Sequence, residues 1–161
     1  MKKWICLCLC LVALMTLISC DGGANTPPKT YTFRYENLDI AIDADAAPIV
    51  SALDGKLLAF AQSPSCAFSG LDKVYTYANF EIQTYPMGDK DYVYMIQLLN
   101  DLVQTPEGIR VGSTKEDVIS VYGEASEENA NALTYRGDGM RLEILLKADG
   151  TVNKIRYWRE D

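Results

Sequence analysis

Apolar and polar residues alternate along most of the chain, a pattern that predicts β-strands. Because successive side chains of a strand point to opposite faces of a sheet, alternation places one apolar row on a single face. Short turn sequences such as Gly137-Asp138-Gly139 and Asp149-Gly150 separate the alternating segments, whereas residues 56–68 show no periodicity and are predicted to be irregular. The alternating segments are residues 31–35, 38–42, 73–77, 80–85, 92–99, 133–136, 140–147 and 151–159.

Two segments, 45–53 and 114–122, carry apolar residues at helical spacing instead. Ser113 stands three residues before Glu116, which predicts a capping box at the start of the second helix. Gly123 stands where a glycine commonly ends a helix. We therefore predict two short helices among the strands.

The order of these elements is repeated along the chain. A helix followed by three strands occurs twice, and we predict two repeats, at about 38–102 and 108–161, within a single domain of residues 31–161. The last strand of each repeat breaks the alternation in the same way, as Val-x-x-Ile at 93–96 and at 152–155. This shared break predicts a β-bulge, or a late start of the strand, at both places.

The first thirty residues are typical of an export signal followed by a flexible linker. Two lysines, an apolar run and a small residue before Cys20 predict a signal peptide over residues 1–19. The apolar run is short for a membrane span. Residues 20–30 contain paired glycines and paired prolines without apolar periodicity, which predicts a tether.

The four residues Leu17-Ile18-Ser19-Cys20 resemble the lipobox of bacterial lipoproteins, whose signal is cleaved before a cysteine that carries lipid. The resemblance implies that Cys20 is lipidated and that the exported protein is anchored at the extracytoplasmic face of the cell membrane. An ordinary cleaved signal and an uncleaved anchor are the alternatives.

Charge and cysteine content narrow the classes of partner and chemistry. The formal net charge is −7, and loss of the two lysines with the signal leaves 13 basic against 22 acidic residues. This excess of negative charge disfavours binding to nucleic acid or to an anionic membrane through a basic patch. With the signal removed and Cys20 lipidated, Cys66 is a lone thiol, so we predict no intrachain disulfide and expect Cys66 to be buried and structural.

Residues 108–123, together with the terminal Val-x-x-Ile-x-Tyr of 152–157, resemble a known repeat. It is the repeat shared by the small outer-membrane-assembly lipoproteins of the SmpA/OmlA type and by the beta-lactamase inhibitor protein. The Ser-Cys-Ala-Phe of 65–68 and the Lys-Val-Tyr-Thr-Tyr of 73–77 also resemble uncharacterised Firmicutes lipoproteins. The loops that contact beta-lactamase have no residue-by-residue match here, so that activity is not carried over.

The resemblance implies an α+β fold of tandem helix-plus-antiparallel-sheet repeats, with helices on one face of a continuous sheet, as in the beta-lactamase inhibitor protein. Alternation then assigns the residues that point away from the helices. Their aromatic, methionine and arginine content is typical of protein interfaces. The predicted partner-binding face consists of Tyr85, Met95, Leu99, Leu145, Arg156 and Trp158. The alternative is that the amino-terminal hairpin or a second copy of the chain covers this face.

The sequence offers little for catalysis or cofactor binding. It contains no histidine, so serine triads, cysteine–histidine pairs and histidine-bearing metal sites are excluded. The carboxylate pairs Asp43/Asp45 and Asp89/Asp91 provide fewer oxygens than the six to eight that calcium takes. We predict a protein that is not an enzyme, with no catalytic residue, no metal and no cofactor.

These observations together favour a membrane-anchored, non-catalytic protein-binding module of the cell envelope, an adaptor or assembly factor whose partner is an envelope or secreted protein. An inhibitor or immunity-like protein against a secreted enzyme is one alternative, since an acidic surface suits a basic target. Capture of a small ligand or peptide near Cys66 is another.

Overall fold

The computed structural model describes residues 29–160. The predicted signal peptide 1–19, Cys20 and the tether as far as residue 28 lie outside the described residues. Within them are two α-helices, α1 (Ala46–Ala52) and α2 (Lys115–Tyr122). The strands are β1 (Phe33–Tyr35), β2 (Leu38–Ile40), β3 (Leu57–Pro64), β4 (Leu71–Tyr77), β5 (Phe80–Met87), β6 (Lys90–Leu98), β7 (Glu127–Asn129), β8 (Ala132–Arg136), β9 (Met140–Leu146) and β10 (Val152–Arg159).

Eight of the strands form one antiparallel sheet in the order β3-β4-β5-β6-β10-β9-β8-β7, while β1 and β2 form a separate hairpin. The segments β3–β6 and β7–β10 are each consecutive meanders, and they meet where β10 pairs with β6. The sheet therefore has β3 at one edge and β7 at the other.

The predicted fold class is wrong. The described residues are mainly sheet, with 50% in strands and 14% in helices, rather than tandem repeats in which helices pack as a layer on a sheet. Helices of seven and eight residues are about 11–12 Å long, whereas eight strands spaced about 4.8 Å apart are about 34 Å wide. Two such helices cannot form a layer on this sheet, and the β1–β2 hairpin supplies much of the remaining cover.

Two strands were absent from the sequence prediction. Residues 57–64, which we predicted to be irregular, form the edge strand β3, and residues 127–129 form β7. All residues of both strands are exposed, so neither strand has the buried row that makes alternation visible in a sequence. Both lie at an edge of the sheet, where burial is lowest.

The predicted helix α2 is confirmed, but its cap lies one residue later than predicted. Thr114, not Ser113, is the N-cap: its hydroxyl accepts from the Asp117 backbone N–H at 3.1 Å, and the Asp117 carboxylate accepts from the Thr114 N–H at 2.9 Å. Hydrogen bonding of the carboxylate to the backbone N–H of Thr114, and secondarily to its hydroxyl, lowers the pKa of Asp117. The helix ends before Gly123, whose φ of +79° is one that other residues rarely adopt. None of the described helices is long and apolar enough to cross a membrane.

The core lies between one face of the sheet and a cover made by the β1–β2 hairpin, α1 and α2; we call this the covered face. The predicted inward row of β9 is confirmed, and each of its four side chains is buried. Phe33 of the hairpin packs edge-on against Phe80, and Tyr31 packs edge-on against Tyr122 of α2. The buried row of β9 consists of Met140, Leu142, Ile144 and Leu146.

Of the two predicted alternatives, the bulge rather than the late strand start is confirmed at both places. The pairing of β5 with β6 jumps from Gln83–Met95 to Thr84–Val93, which leaves Tyr94 as the extra residue. The pairing of β9 with β10 shifts between Val152 and Lys154.

Candidate protein-binding face

The face of the sheet opposite the hairpin and helices, which we call the open face, carries a row of four aromatic rings. The ring of Phe68 lies 4.7 Å from that of Tyr85, which lies 6.1 Å from that of Tyr94, which in turn lies 5.9 Å from Trp158. The last two contacts are edge-to-face, a favourable geometry for aromatic pairs. We call these four residues the aromatic row.

Trp158 lies at the centre of a polar and aromatic cluster. The guanidinium groups of Arg141 and Arg156 each lie 5.5 Å from the centre of its ring, within the range of cation–π attraction. Its indole N–H donates to Oε2 of Glu143 at 3.3 Å. Trp158 remains only half-buried.

Neighbouring polar groups hold Arg156 over this ring. Its Nε donates to Oε1 of Gln97 at 2.9 Å, and its Nη1 lies 3.4 Å from Oε2 of Glu143. These partners come from β6 and β9, the strands on either side of β10, because Arg156 pairs with Gln97 on one side and Glu143 on the other. Register therefore pre-organises the arginine, which lowers the entropy cost of using it in binding.

A second group of arginines lies beside the aromatic row. Arg136, Arg141 and Arg159 line a recess of about 350 Å³ together with Tyr94 and Glu160. Glu160 pairs with Arg136 and lies 4.0 Å from Arg141. We call Arg136, Arg141 and Arg159 the arginine cluster.

A smaller recess of about 180 Å³ opens at the other end of the aromatic row. The turn between β3 and β4 forms one wall, and it is held by the Ser65 hydroxyl, which accepts from the Phe68 N–H at 3.2 Å. Phe68, Tyr85 and Tyr94 provide the aromatic lining, and Cys66 contributes to the rim.

The floor of this smaller recess is anchored by a hydrogen bond to the loop before α1. The Tyr85 hydroxyl donates to Oδ1 of Asp43 at 2.8 Å, and Nε of Arg159 donates to the same oxygen at 3.1 Å. Burial and the bond to Asp43 raise the pKa of Tyr85, so this hydroxyl stays a donor at neutral pH.

Four of the six residues predicted for the partner-binding face are brought together. Trp158 pairs across the sheet with Met95, Arg156 stacks on Trp158, and Tyr85 joins them through Tyr94. Leu145 is half-buried and lies two positions from Glu143 on β9, and Leu99 is exposed just past the end of β6.

Two of the six are less accessible than predicted. Only 3% of Tyr85 and 3% of Met95 is exposed. Phe68 and the Asp43 loop cover Tyr85, and Met95 lies between Gln83 and Trp158 on the adjacent strands. These two residues support the face, whereas Trp158 and Arg156 form its accessible part.

The sequence prediction omitted Tyr94, although it links the two ends of the aromatic row. Strict alternation counted from Ile96 places Tyr94 on the covered face. The bulge at Val93–Tyr94 turns Tyr94 to the open face instead. The Val-x-x-Ile pattern that predicted this bulge was the available signal.

The expectation that Cys66 is buried is wrong, because Cys66 is exposed in the β3–β4 turn. Cys66 belongs to the segment 56–68, whose sequence shows no periodicity from which burial could be predicted. Within residues 29–160, no group of three or more cysteines and carboxylates is placed to hold a metal ion. Asp43 and Asp45 instead bond to Tyr85 and Lys90.

The function of this face has to be inferred from the residues themselves. No protein-family model, curated protein or solved structure matches this chain.

Proposed function

We propose that the protein is a membrane-anchored, non-catalytic protein-binding module of the cell envelope, an adaptor or assembly factor held by lipid on Cys20 and binding an envelope or secreted protein through its open face. The observation that carries this proposal is the arrangement of Trp158 between Arg141 and Arg156, half-buried on a sheet face that neither helix nor hairpin covers.

The residue types on this face support protein binding. Tryptophan, tyrosine and arginine are enriched among the residues that dominate binding energy, and such residues cluster near the centre of an interface. Trp158 already has its indole N–H paired with Glu143, so a partner need cover only the face of its ring. A partner that covers the ring would also exclude water from the neighbouring charged groups, which strengthens the electrostatic interactions between them.

The distribution of arginine supports a partner with exposed carboxylates. The chain has a net charge of −7, yet four of its six arginines lie on or beside the open face. Arginine suits bidentate binding of carboxylates and stacking on aromatic rings better than lysine does. We therefore expect the partner to present acidic side chains next to an apolar or aromatic group. The four are Arg136, Arg141, Arg156 and Arg159.

The proposal is tested by photo-crosslinking of the full chain in its own cell envelope. A benzophenone amino acid at position 145 of the open face should crosslink a defined protein, identified by mass spectrometry. The matched control places the same group at position 119, an exposed apolar site on α2 on the other side of the sheet. Equal crosslinking from both positions would argue against a specific open-face partner.

The identified partner then allows a quantitative test. Trp158→Ala should weaken binding by about 2 kcal/mol or more, roughly 30-fold, when measured by calorimetry. Ile119→Ala should leave the affinity unchanged. If Trp158→Ala changes the free energy of unfolding by more than it changes the free energy of binding, Trp158 is structural and the proposal fails. A partner that is a secreted enzyme, and whose activity the protein blocks, would favour the inhibitor or immunity-like alternative.

The recess beside Cys66 favours a second candidate function, capture of a small ligand or of one peptide side chain. Its volume of about 180 Å³ and its lining by Phe68, Tyr85 and Tyr94 suit one aromatic or branched apolar group. Titration with p-cresol, a mimic of a tyrosine side chain, should shift the NMR signals of Phe68 and Val74. Phe68→Ala should abolish the shift at Val74. Shifts that survive in the variant would place the binding elsewhere.

A further inference from the structure

The edge strand β3 is unusually exposed and apolar for the edge of a sheet. Within the described part of the chain, β3 pairs only with β4, and all eight of its residues are exposed. Leu58 is 70% exposed and Phe60 is 49% exposed. No charged residue occurs between Leu57 and Pro64. Such an edge is a ready template for pairing with another strand.

The opposite edge of the sheet, β7, is protected against pairing with another strand by its short length and by its charge. The strand β7 has only three residues, and two of them are Glu127 and Glu128. Short length and charge are how proteins commonly prevent edge-to-edge pairing. At the β3 edge, a register shift between Leu57 and Ala59 disturbs the start and Pro64 stands at the end, but residues 59–63 pair with β4 in regular register.

We propose that β3 pairs antiparallel with β3 of a second copy of this chain, which extends the sheet continuously through both copies. Pairing of β7 with β7 would bring four glutamates together, and head-to-tail pairing of β3 with β7 would offer only three residues. Pairing of β3 with itself brings no like charges together. It is also isologous, so it closes at two copies instead of growing into a filament.

The side chains of β3 suit a register centred on Phe60. The Phe60 ring lies 5.1 Å from Tyr75 on the neighbouring strand, so it is already held against the sheet. In this register it lies beside the Phe60 ring of the second copy, and aromatic cross-strand pairs are stabilising. On the other face of the strand Ala59 lies opposite Ala61 of the second copy, where small side chains let the two strands approach.

The position of Lys29, the first described residue, suits pairing with a second copy. The ammonium of Lys29 lies 5.1 Å from the ring of Tyr31 and 5.3 Å from that of Tyr122, so the Lys29 side chain lies on the covered face. Antiparallel strands pair about a two-fold axis perpendicular to the sheet, which keeps both covered faces on the same side. Both copies of Lys29 therefore lie on the same side of the extended sheet, which suits anchoring of the two chains to one membrane through Cys20, as proposed above.

Sedimentation equilibrium of the full chain in detergent tests this pairing. We expect a reversible monomer–dimer equilibrium with a dissociation constant on the order of 100 µM or lower. Ala61→Lys places two positive charges near the two-fold axis and should raise that constant at least about tenfold. The matched control, Asn129→Lys on β7, adds the same charge at the other edge and should leave the constant unchanged.

A wild-type chain that remains monomeric up to about 1 mM overturns the proposal, whatever the variants do. So does a dimer that Ala61→Lys leaves intact while circular dichroism shows the variant folded. Trp158→Ala separates this proposal from the binding function of the open face: loss of the dimer in that variant would assign self-association to the open face and overturn pairing through β3.

Discussion

The two faces of the eight-stranded sheet are built from the same strands but do different work. On the covered face, side chains such as Leu142 and Ile144 are completely buried against the hairpin and helices. On the open face, the alternate residues Arg141 and Glu143 of the same strand are half-buried and engage Trp158. Stability is therefore concentrated on one face, while the other is free to hold groups chosen for recognition.

The largest effect that tests this difference comes from shortening one leucine on each face of β9. Leu142→Ala removes a completely buried side chain and should lower the free energy of unfolding by about 3 kcal/mol. Leu145→Ala, three positions away on the open face, should lower it by about 1 kcal/mol or less because that side chain is half-buried. Urea denaturation measures both. Equal losses would mean that the open face is covered in solution.

Strong alkali should act through the covered face. Burial raises the pKa of Tyr77 to about 12 and also raises the pKa of Tyr122 and of Tyr157. The unfolded chain loses these protons near pH 10 while the folded chain keeps them, so the free energy of unfolding is unaffected below pH 10 and falls above it. The fall should reach up to about 1.4 kcal/mol per pH unit for each such tyrosine.

Denaturant midpoints between pH 8 and 12 measure this slope. Tyr157→Phe removes one of the three buried phenols and should make the slope shallower. An unchanged slope in that variant would mean that Tyr157 does not stay protonated in the folded protein.

Two tyrosines on the covered face should respond oppositely to loss of the hydroxyl. The Tyr122 hydroxyl donates to Oε2 of Glu107 at 2.7 Å and lies 2.8 Å from Oγ1 of Thr105, so Tyr122→Phe should lower the free energy of unfolding by about 1.5 kcal/mol. The Tyr157 hydroxyl has no hydrogen-bond partner among the described residues, so Tyr157→Phe should be neutral or raise it by about 1 kcal/mol. Thermal unfolding at pH 7 compares the two. A clear loss in Tyr157→Phe would reveal a partner for that hydroxyl.

The smallest expected effect is the coupling between Arg156 and Glu143 on the open face. Their side chains are 26% and 21% exposed and lie 3.4 Å apart, so a double-mutant cycle with Arg156→Ala and Glu143→Ala should give a coupling of about 0.5–1 kcal/mol. Equilibrium unfolding of the four variants measures it. A coupling of several kcal/mol would show that this pair supports the fold rather than positioning groups for a partner.

The sequence predicted the covered face better than the open face, and the difference has a physical reason. The covered face was predictable because each buried row, such as the one through Leu142, leaves a strict period of two. The open face was only partly predictable, since long side chains, turns and bulges decide which residues are accessible there. Phe68 covers Tyr85, and the bulge in β6 turns Tyr94 to the open face. The strand β3 was missed because a strand exposed on both faces has no period to detect.

The fold class was wrong for a related reason. The pattern located both helices, but it did not reveal how little of the sheet helices of seven and eight residues can cover. Membrane anchoring through Cys20 and binding of a partner remain predictions from residue types and neighbouring chemistry.

The position of β10 also constrains how the protein can assemble as it is synthesised. The strand is the last of the ten in chain order, yet it lies in the interior of the sheet between β6 and β9. Until residues 152–159 leave the ribosome, the two meanders have no strand to join them, and β6 is left with an unpaired side. A chain stalled before residue 152 would therefore carry additional open edges, which makes it a substrate for chaperones and for premature association.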